Sequence, residues 1–170
     1  MRTLSLAVLA LGLSCCAWCA WCADQTITSA KLFPDGLEDA QGKAVALDQL
    51  KDKVVGVYFS AHWCPPCRAF TPKLVEFRDK NKDKFEVVFV SSDKSAKEKQ
   101  GYMTETKMLW PSVPFASESR KSLGKQFEVR GIPMLVILGP DGKTITANGR
   151  GDVEGSPDTA LESWTKAIAK

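Results

Sequence analysis

One histidine, two tyrosines and a formal charge of only +3 over 170 residues exclude several classes of function before any motif is considered. Lys and Arg total 23 against 20 acidic residues and are interspersed, whereas nucleic-acid binders concentrate basic charge on one face. No nucleic-acid partner is therefore expected. The short lysine-rich stretches, Lys80 to Lys84 and Lys94 to Lys99, read as solvated helix ends and loops. No internal repeat of roughly 20 to 50 residues is visible, which sets aside solenoids and propellers. The apolar run Leu4 to Leu13 is about half the ~20 residues that a transmembrane helix needs, so stable membrane insertion is not expected.

That run instead has the length of a signal-peptide core, preceded by the positive charge of Arg2. Ala20 and Cys22 are the small residues wanted for a cut before Ala23; Ala17 and Cys19 offer a second cut before Ala20. Residues 1–22 are expected to be a signal peptide and 23–170 a single domain, exported to the periplasm or secreted. Four of the six cysteines, Cys15, Cys16, Cys19 and Cys22, fall in this segment. Their spacing matches part of an iron–sulfur ligand run, but a fourth ligand in the right place is missing. Lipidation of Cys15 or Cys16 competes with the reading of small residues near a cleavage site. Beyond residue 22 only Cys64 and Cys67 remain, too few for a disulfide framework.

The remaining chain reads as alternating strands and helices. A turn-rich opening, broken at Pro34-Asp35-Gly36 and Gln41-Gly42-Lys43, carries a short strand at Val45 to Leu47 and a helical turn to Leu50. Val54 to Phe59 is a continuous apolar run of buried-strand type, and Phe85 to Val90 reads as a second buried strand. Between them Phe70, Leu74 and Phe77 recur at helical spacing, predicting a helix from Pro65 to Lys80. A polar helix is predicted from Ser95 to Lys107, then a proline-stiffened connector, Trp110 to Pro114, outside any regular element. A helix capped by Ser117 runs to Phe127, and Met134 to Leu138 forms a hairpin with Thr144 to Ala147 across Pro140-Asp141-Gly142. Ser156, Pro157, Leu161, Trp164 and Ile168 spell a terminal amphipathic helix. The fold class is α/β, with a central mixed sheet flanked by helices.

The sharpest signal is Trp63-Cys64-Pro65-Pro66-Cys67, placed after a buried strand and opening a helix. Cys64 at a helix N-terminus meets unpaired N–H groups and the positive end of the macrodipole, which favour the thiolate. Cys67, one turn on, is within reach to close a disulfide. Arg68 adds positive potential nearby. A zinc site would need four ligands, and beyond residue 22 the chain holds one histidine and two cysteines. A static disulfide closing so short a loop would restrict the unfolded chain little. Metal and cofactor are both expected to be absent. Gly131-Ile132-Pro133 precedes the third strand; a cis proline there would set the Ile132 backbone beside the Cys64 sulfur, while a trans proline would simply begin the strand.

From about Val54 to Val153 the chain resembles the tryparedoxin and nucleoredoxin branch of the thioredoxin-like proteins. The resemblance rests on Tyr58-Phe59-Ser60-Ala61-His62-Trp63-Cys64-Pro65-Pro66-Cys67-Arg68, Phe89-Val90-Ser91-Ser92-Asp93, Val113-Pro114-Phe115-Ala116 and Gly131-Ile132-Pro133, in that order. It implies a thioredoxin fold in which Cys64 attacks a disulfide and Cys67 resolves the mixed intermediate. It also implies a docking rim of Trp63, Pro66, Ile132 and Pro133, and a substrate-facing Arg150. Pro65 and Arg68, beside the pair, are expected to share in substrate binding. Thioredoxin proper has a buried Asp six residues before the first cysteine; here that residue is Tyr58, as in tryparedoxins, and it reads as core. His62 reads as an exposed loop residue rather than a base. Members of this branch are usually intracellular, so the export signal points to an exported bacterial form.

The function expected is protein-disulfide oxidoreductase: a reductase or exchanger, monomeric, acting on protein or small-thiol disulfides and recycled by an upstream redox partner. A dedicated thiol reductant for cytochrome c maturation is an alternative in the same class. A copper-binding assembly factor is one from another class, although such proteins commonly have three residues between their cysteines and a distant histidine. A thiol peroxidase is a fourth reading, but peroxide chemistry does not need a resolving cysteine so close.

Overall fold

The computed structural model describes residues 29–168; the expected signal segment, its four cysteines and the boundary at residue 23 lie outside them. The turn-rich opening folds as a small antiparallel ladder of β1 (Leu37–Glu38) and β2 (Ala44–Val45), with Leu37 opposite Val45. Asp39 ties the intervening turn by accepting from the N–H groups of Gln41 and Lys43, each at 2.9 Å. Gly42 supplies a φ of +79°, which a side chain would strain. The strand ends at Val45 rather than Leu47, because Leu47–Leu50 is already a 3-10 turn that buries Leu50.

The two expected buried strands become β3 (Val54–Ser60) and β4 (Phe85–Ser91), every residue of both buried. Between them lies α1 (Pro65–Asn81), whose buried stripe is Cys67, Phe70, Thr71, Leu74 and Phe77. Next come α2 (Ala96–Glu105), α3 (Glu118–Gln126), β5 (Met134–Leu138), β6 (Thr144–Thr146), α4 (Gly149–Gly155) and α5 (Pro157–Ile168). The sheet order is β4-β3-β5-β6, with β3 parallel to β4 and antiparallel to β5, and β6 antiparallel to β5. This is the mixed sheet the pattern predicts.

Strand alternation sorts the core into two layers. Tyr58, Phe85, Phe89, Leu135 and Ile137 pack with Phe70, Leu74 and Phe77 of α1, Tyr102 of α2 and Trp164 of α5. Val55, Val57, Phe59, Val88 and Val136 face the other way, onto Phe33, Leu37, Leu50 and Leu123 of α3. Both faces are covered, which is why Val54 to Phe59 of β3 reads as a continuous apolar run and Phe85 to Val90 of β4 departs from one only at Glu86, paired with Arg78; each large side chain so buried contributes about 2 kcal/mol.

Four expectations need correction, and one helix is not foreseen in the sequence. The Trp110–Pro114 connector is not outside regular structure: Ser112 bridges both Glu38 and Phe89, so it closes the outer edge of β4. Pro111 and Pro114 leave the N–H groups of Ser112 and Val113 free for those bonds, and an edge position tolerates proline. Lys99 is not solvated: its side chain is 1% exposed, and its Nζ donates to Glu38 Oε1 at 2.6 Å and to the Val113 carbonyl at 2.8 Å. Ser117 sits at the start of α3, but its hydroxyl donates to the Pro114 carbonyl, and Asp35 instead accepts from the Ser119 N–H and hydroxyl. Helix α4, rich in glycine, has no periodic signal; it forms because it packs against β5 and α1. In α5 the inward residues are Ala160 and Trp164, while Ile168 is exposed.

Candidate functional site

The strand-to-helix junction after β3 places Cys64 at the N-cap of α1, in extended backbone at φ −92°, ψ 109°. Pro65 and Pro66 occupy the first two helical positions, whose N–H groups would lack partners in any helix. Cys67 is therefore the first residue of α1 that carries an N–H. Cys64 and Cys67 are joined as a disulfide with a Cα–Cα distance of 5.2 Å. Cys67 is fully buried and Cys64 nearly so, at 4% exposure, packed with Ala61 and Ile132.

The Ile132–Pro133 peptide bond is cis, and the Ile132 carbonyl oxygen lies 3.8 Å from Cys64 Sγ. Of the remaining residues singled out from sequence, Trp63 is 56% exposed and held by a bond from its indole N–H to the Ser92 carbonyl at 3.2 Å. Pro65, Pro66 and Arg68 are exposed around the pair, Ile132 is half-buried and Pro133 buried. Arg150 stands apart from them in its partners: on α4 it pairs with Glu154 at 3.0 Å, its guanidinium 5.9 Å from the Phe70 ring centroid.

Beneath the cysteines runs a buried hydroxyl network that the sequence reading misses. Thr71 Oγ1 donates to the Cys67 carbonyl at 2.9 Å and lies 2.8 Å from the Tyr58 hydroxyl and 2.6 Å from that of Tyr102. Tyr102 in turn reaches Ser60 Oγ at 3.2 Å. Tyr58 is core, as expected, yet its hydroxyl also lies 3.4 Å from the Cys67 carbonyl. Burial, reinforced by Tyr102, holds the Tyr58 phenol far above its usual range, so it stays neutral. Thr71 is one turn beyond Cys67 on the same helical stripe and could have been found by that spacing. Tyr102 comes from α2 and carries no local signal.

His62 is half-buried rather than exposed. Its ring stacks on Tyr102 at 5.2 Å, its Nε2 lies 3.1 Å from Glu105, and its backbone N–H donates to Asp93 Oδ1 at 2.7 Å. Among the described residues no cluster of His, Cys, Asp or Glu is arranged to hold a metal ion, and no helix is long and apolar enough to cross a membrane.

The family described as thioredoxin-like matches residues 52–144. Probable nucleoredoxin 1 of Arabidopsis thaliana is 46% identical over 112 residues, which are 64% of this chain and 19% of that protein. Tryparedoxin II from C. fasciculata superposes with a TM-score of 0.75 at 36% identity, covering 86% of this chain and 99% of that one. A tryparedoxin II complexed with glutathionylspermidine gives a TM-score of 0.71 at 36% identity, with coverage of 78% and 94%. The chain spans between 19% and 29% of the length of the nucleoredoxins of Arabidopsis thaliana, Danio rerio and Bos taurus that it matches.

Proposed function

This chain belongs to the thioredoxin-like family, and we propose that it is a disulfide reductase or exchanger whose working dithiol is Cys64 and Cys67. Its fold is the thioredoxin fold, and its nucleoredoxin and tryparedoxin relatives place it among thiol oxidoreductases. The observation that carries the reading is the Cys64–Cys67 bond at the N-terminus of α1, one cysteine at the cap and its partner sealed in the core.

In the reduced protein the Cys64 thiolate attacks one sulfur of a substrate disulfide. The substrate bond breaks, one thiolate leaves, and a mixed disulfide remains on Cys64. Cys67 then attacks the Cys64 sulfur and releases the second thiol. Two electrons pass from the dithiol to the substrate, which takes up two protons, and the protein is left with the bond seen here. The partner's disulfide docks on Trp63, Pro65, Pro66, Arg68, Ile132 and Pro133, which surround the pair or flank it in sequence; Arg150 serves the same surface from α4. An upstream thiol donor of its own resets the dithiol.

The protein works after export, in the periplasm or outside the cell; Arg2, the Leu4 to Leu13 run and the small residues before Ala23 support this. Mass determination of the protein recovered from a host expressing the whole chain tests it, a product beginning at Ala23 being expected. For the chemistry, Cys64→Ser abolishes insulin reduction and Cys67→Ser accumulates mixed disulfides. Capture of an apocytochrome by Cys67→Ser would narrow the role to cytochrome c maturation. A reduction potential near or below about −200 mV goes with a reductant, and one near −120 mV with an oxidase. Retained insulin reduction by Cys64→Ser would overturn the assignment.

A further inference from the structure

Next to Trp63, the residue before Cys64, a cleft of about 280 Å³ opens between the first turn of α1 and the start of α2, lined by His62, Trp63, Arg68, Asp93, Lys94 and Glu98. Its formal charges balance, but they are not equally free. Asp93 is 5% exposed and both its oxygens are occupied, Oδ1 by the His62 N–H at 2.7 Å and Oδ2 by the Ser91 hydroxyl at 2.8 Å. Glu98 is folded back over the helix start, its Oε2 accepting from the Lys94 N–H at 3.0 Å, while its own N–H is capped by Ser95. The His62 imidazole is turned to Glu105. Arg68 and Lys94 are exposed, and neither side chain has a hydrogen-bond or ion-pair partner among the described residues. The exposed Trp63 indole, fixed by its bond to Ser92, walls the cleft and is covalently next to Cys64.

We propose that this cleft selects small disulfides that carry carboxylates, holding the carboxylate against Arg68 and Lys94 while the apolar part of the molecule lies on Trp63 and its disulfide reaches Cys64. The inference rests on the reading of Cys64 as the attacking cysteine. A guanidinium pairs with carboxylate through two parallel bonds, and a free ammonium adds a point charge that needs no fixed geometry. Unpaired and close to the cysteine in sequence or across the cleft, the two cations also raise the local concentration of an anionic substrate. The step is the exchange already described: the Cys64–substrate S–S bond forms as the substrate's own bond breaks. The first thiolate leaves, Cys67 displaces the second, and the dithiol is oxidised as the disulfide is reduced to two thiols.

The test is the second-order rate at which the reduced full chain is oxidised by three probes. These are glutathione disulfide, net anionic; bis(2-hydroxyethyl) disulfide, neutral; and cystamine, cationic. The anionic-to-neutral rate ratio is expected to fall about tenfold in the Arg68→Gln/Lys94→Gln protein, and to fall in the wild type as salt is raised. Glu98→Gln, which removes the carboxylate opposing the two cations, moves the ratio upward. An unchanged ratio in the double variant, or cystamine as the wild type's fastest substrate, overturns the inference. Comparable rates with all three probes defeat only the cleft's selectivity, whereas no reaction with any of them removes the dithiol reading itself.

Discussion

Lys99 Nζ lies 2.6 Å from Glu38 Oε1, joining α2 to β1 through a lysine side chain that is 1% exposed. Burial lowers the proton affinity of Lys99 even though Glu38 opposes the shift, so the pair offsets a desolvation cost rather than adding pure gain. Removing one partner is then worse than removing both. Lys99→Met alone is expected to lower stability by about 3 kcal/mol, because it leaves Glu38 without its cation. The Lys99→Met/Glu38→Gln protein recovers part of that loss. Urea midpoints of the single and double variants decide the matter, and a harmless Lys99→Met would mean the lysine contributes packing alone.

Tyr58 gives the protein an alkaline liability. Its folded pKa lies above the usual 10.0, with burial as the main cause. Its contribution to stability is fully present below pH 10. As the pH rises beyond that, the unfolded chain releases a proton that the folded chain keeps, and stability falls. In Tyr58→Phe this part of the slope disappears, at the cost of about 1 kcal/mol at neutral pH for the lost bond with Thr71. Unfolding followed by tyrosinate absorbance between pH 9 and about 11 reads both effects.

Gly149 opens α4 against the sheet. A Cβ there would stand 2.6 Å from Ile137 Cγ1 and Cδ1 and 2.9 Å from the Leu135 carbonyl oxygen. The side chain could turn away, but the carbonyl belongs to β5. Gly149→Ala is expected to destabilise by about 1–3 kcal/mol, despite alanine's better helix propensity. At Gly155, where nothing lies within 4 Å, the same change gains up to about 1 kcal/mol. Thermal melts of the two variants should move in opposite directions.

Reducing the Cys64–Cys67 bond opens a loop with a sequence separation of only three. Chain entropy alone assigns such a small ring about 2 kcal/mol. Guanidinium unfolding of the oxidised and reduced forms should differ by about that amount. Loss of the folded state on reduction would show that the bond holds the fold together, against its reading as a reversible redox pair.

The elements that position the cysteine pair are legible in sequence because their signals are local. Two strands dominated by apolar residues, a stripe at Phe70, Leu74 and Phe77, and two prolines opening a helix each reflect a pattern or a backbone restriction that neighbouring residues share. The edge bridge at Ser112, the burial of Lys99 and the short helix at Gly149 are not local in this sense. Each depends on a partner far along the chain: Glu38 for the first two, and the β5 backbone for the third.

By itself, then, the sequence determined the two buried strands, the helix between them and the position of Cys64 and Cys67 at its start. Tertiary structure alone decided what lies beneath that pair and which neighbouring charges stay unpaired. It laid Tyr102 of α2 beneath His62 and against Thr71, and it selected the cis form of Pro133, which the sequence leaves open and which sets the Ile132 carbonyl 3.8 Å from Cys64 Sγ. It also buried Asp93 and folded the exposed Glu98 back onto the Lys94 N–H, while leaving the Arg68 and Lys94 side chains free. Hydrophobic period and turn chemistry act over a few residues, whereas the satisfaction of buried hydroxyls and charges is settled only when distant segments meet.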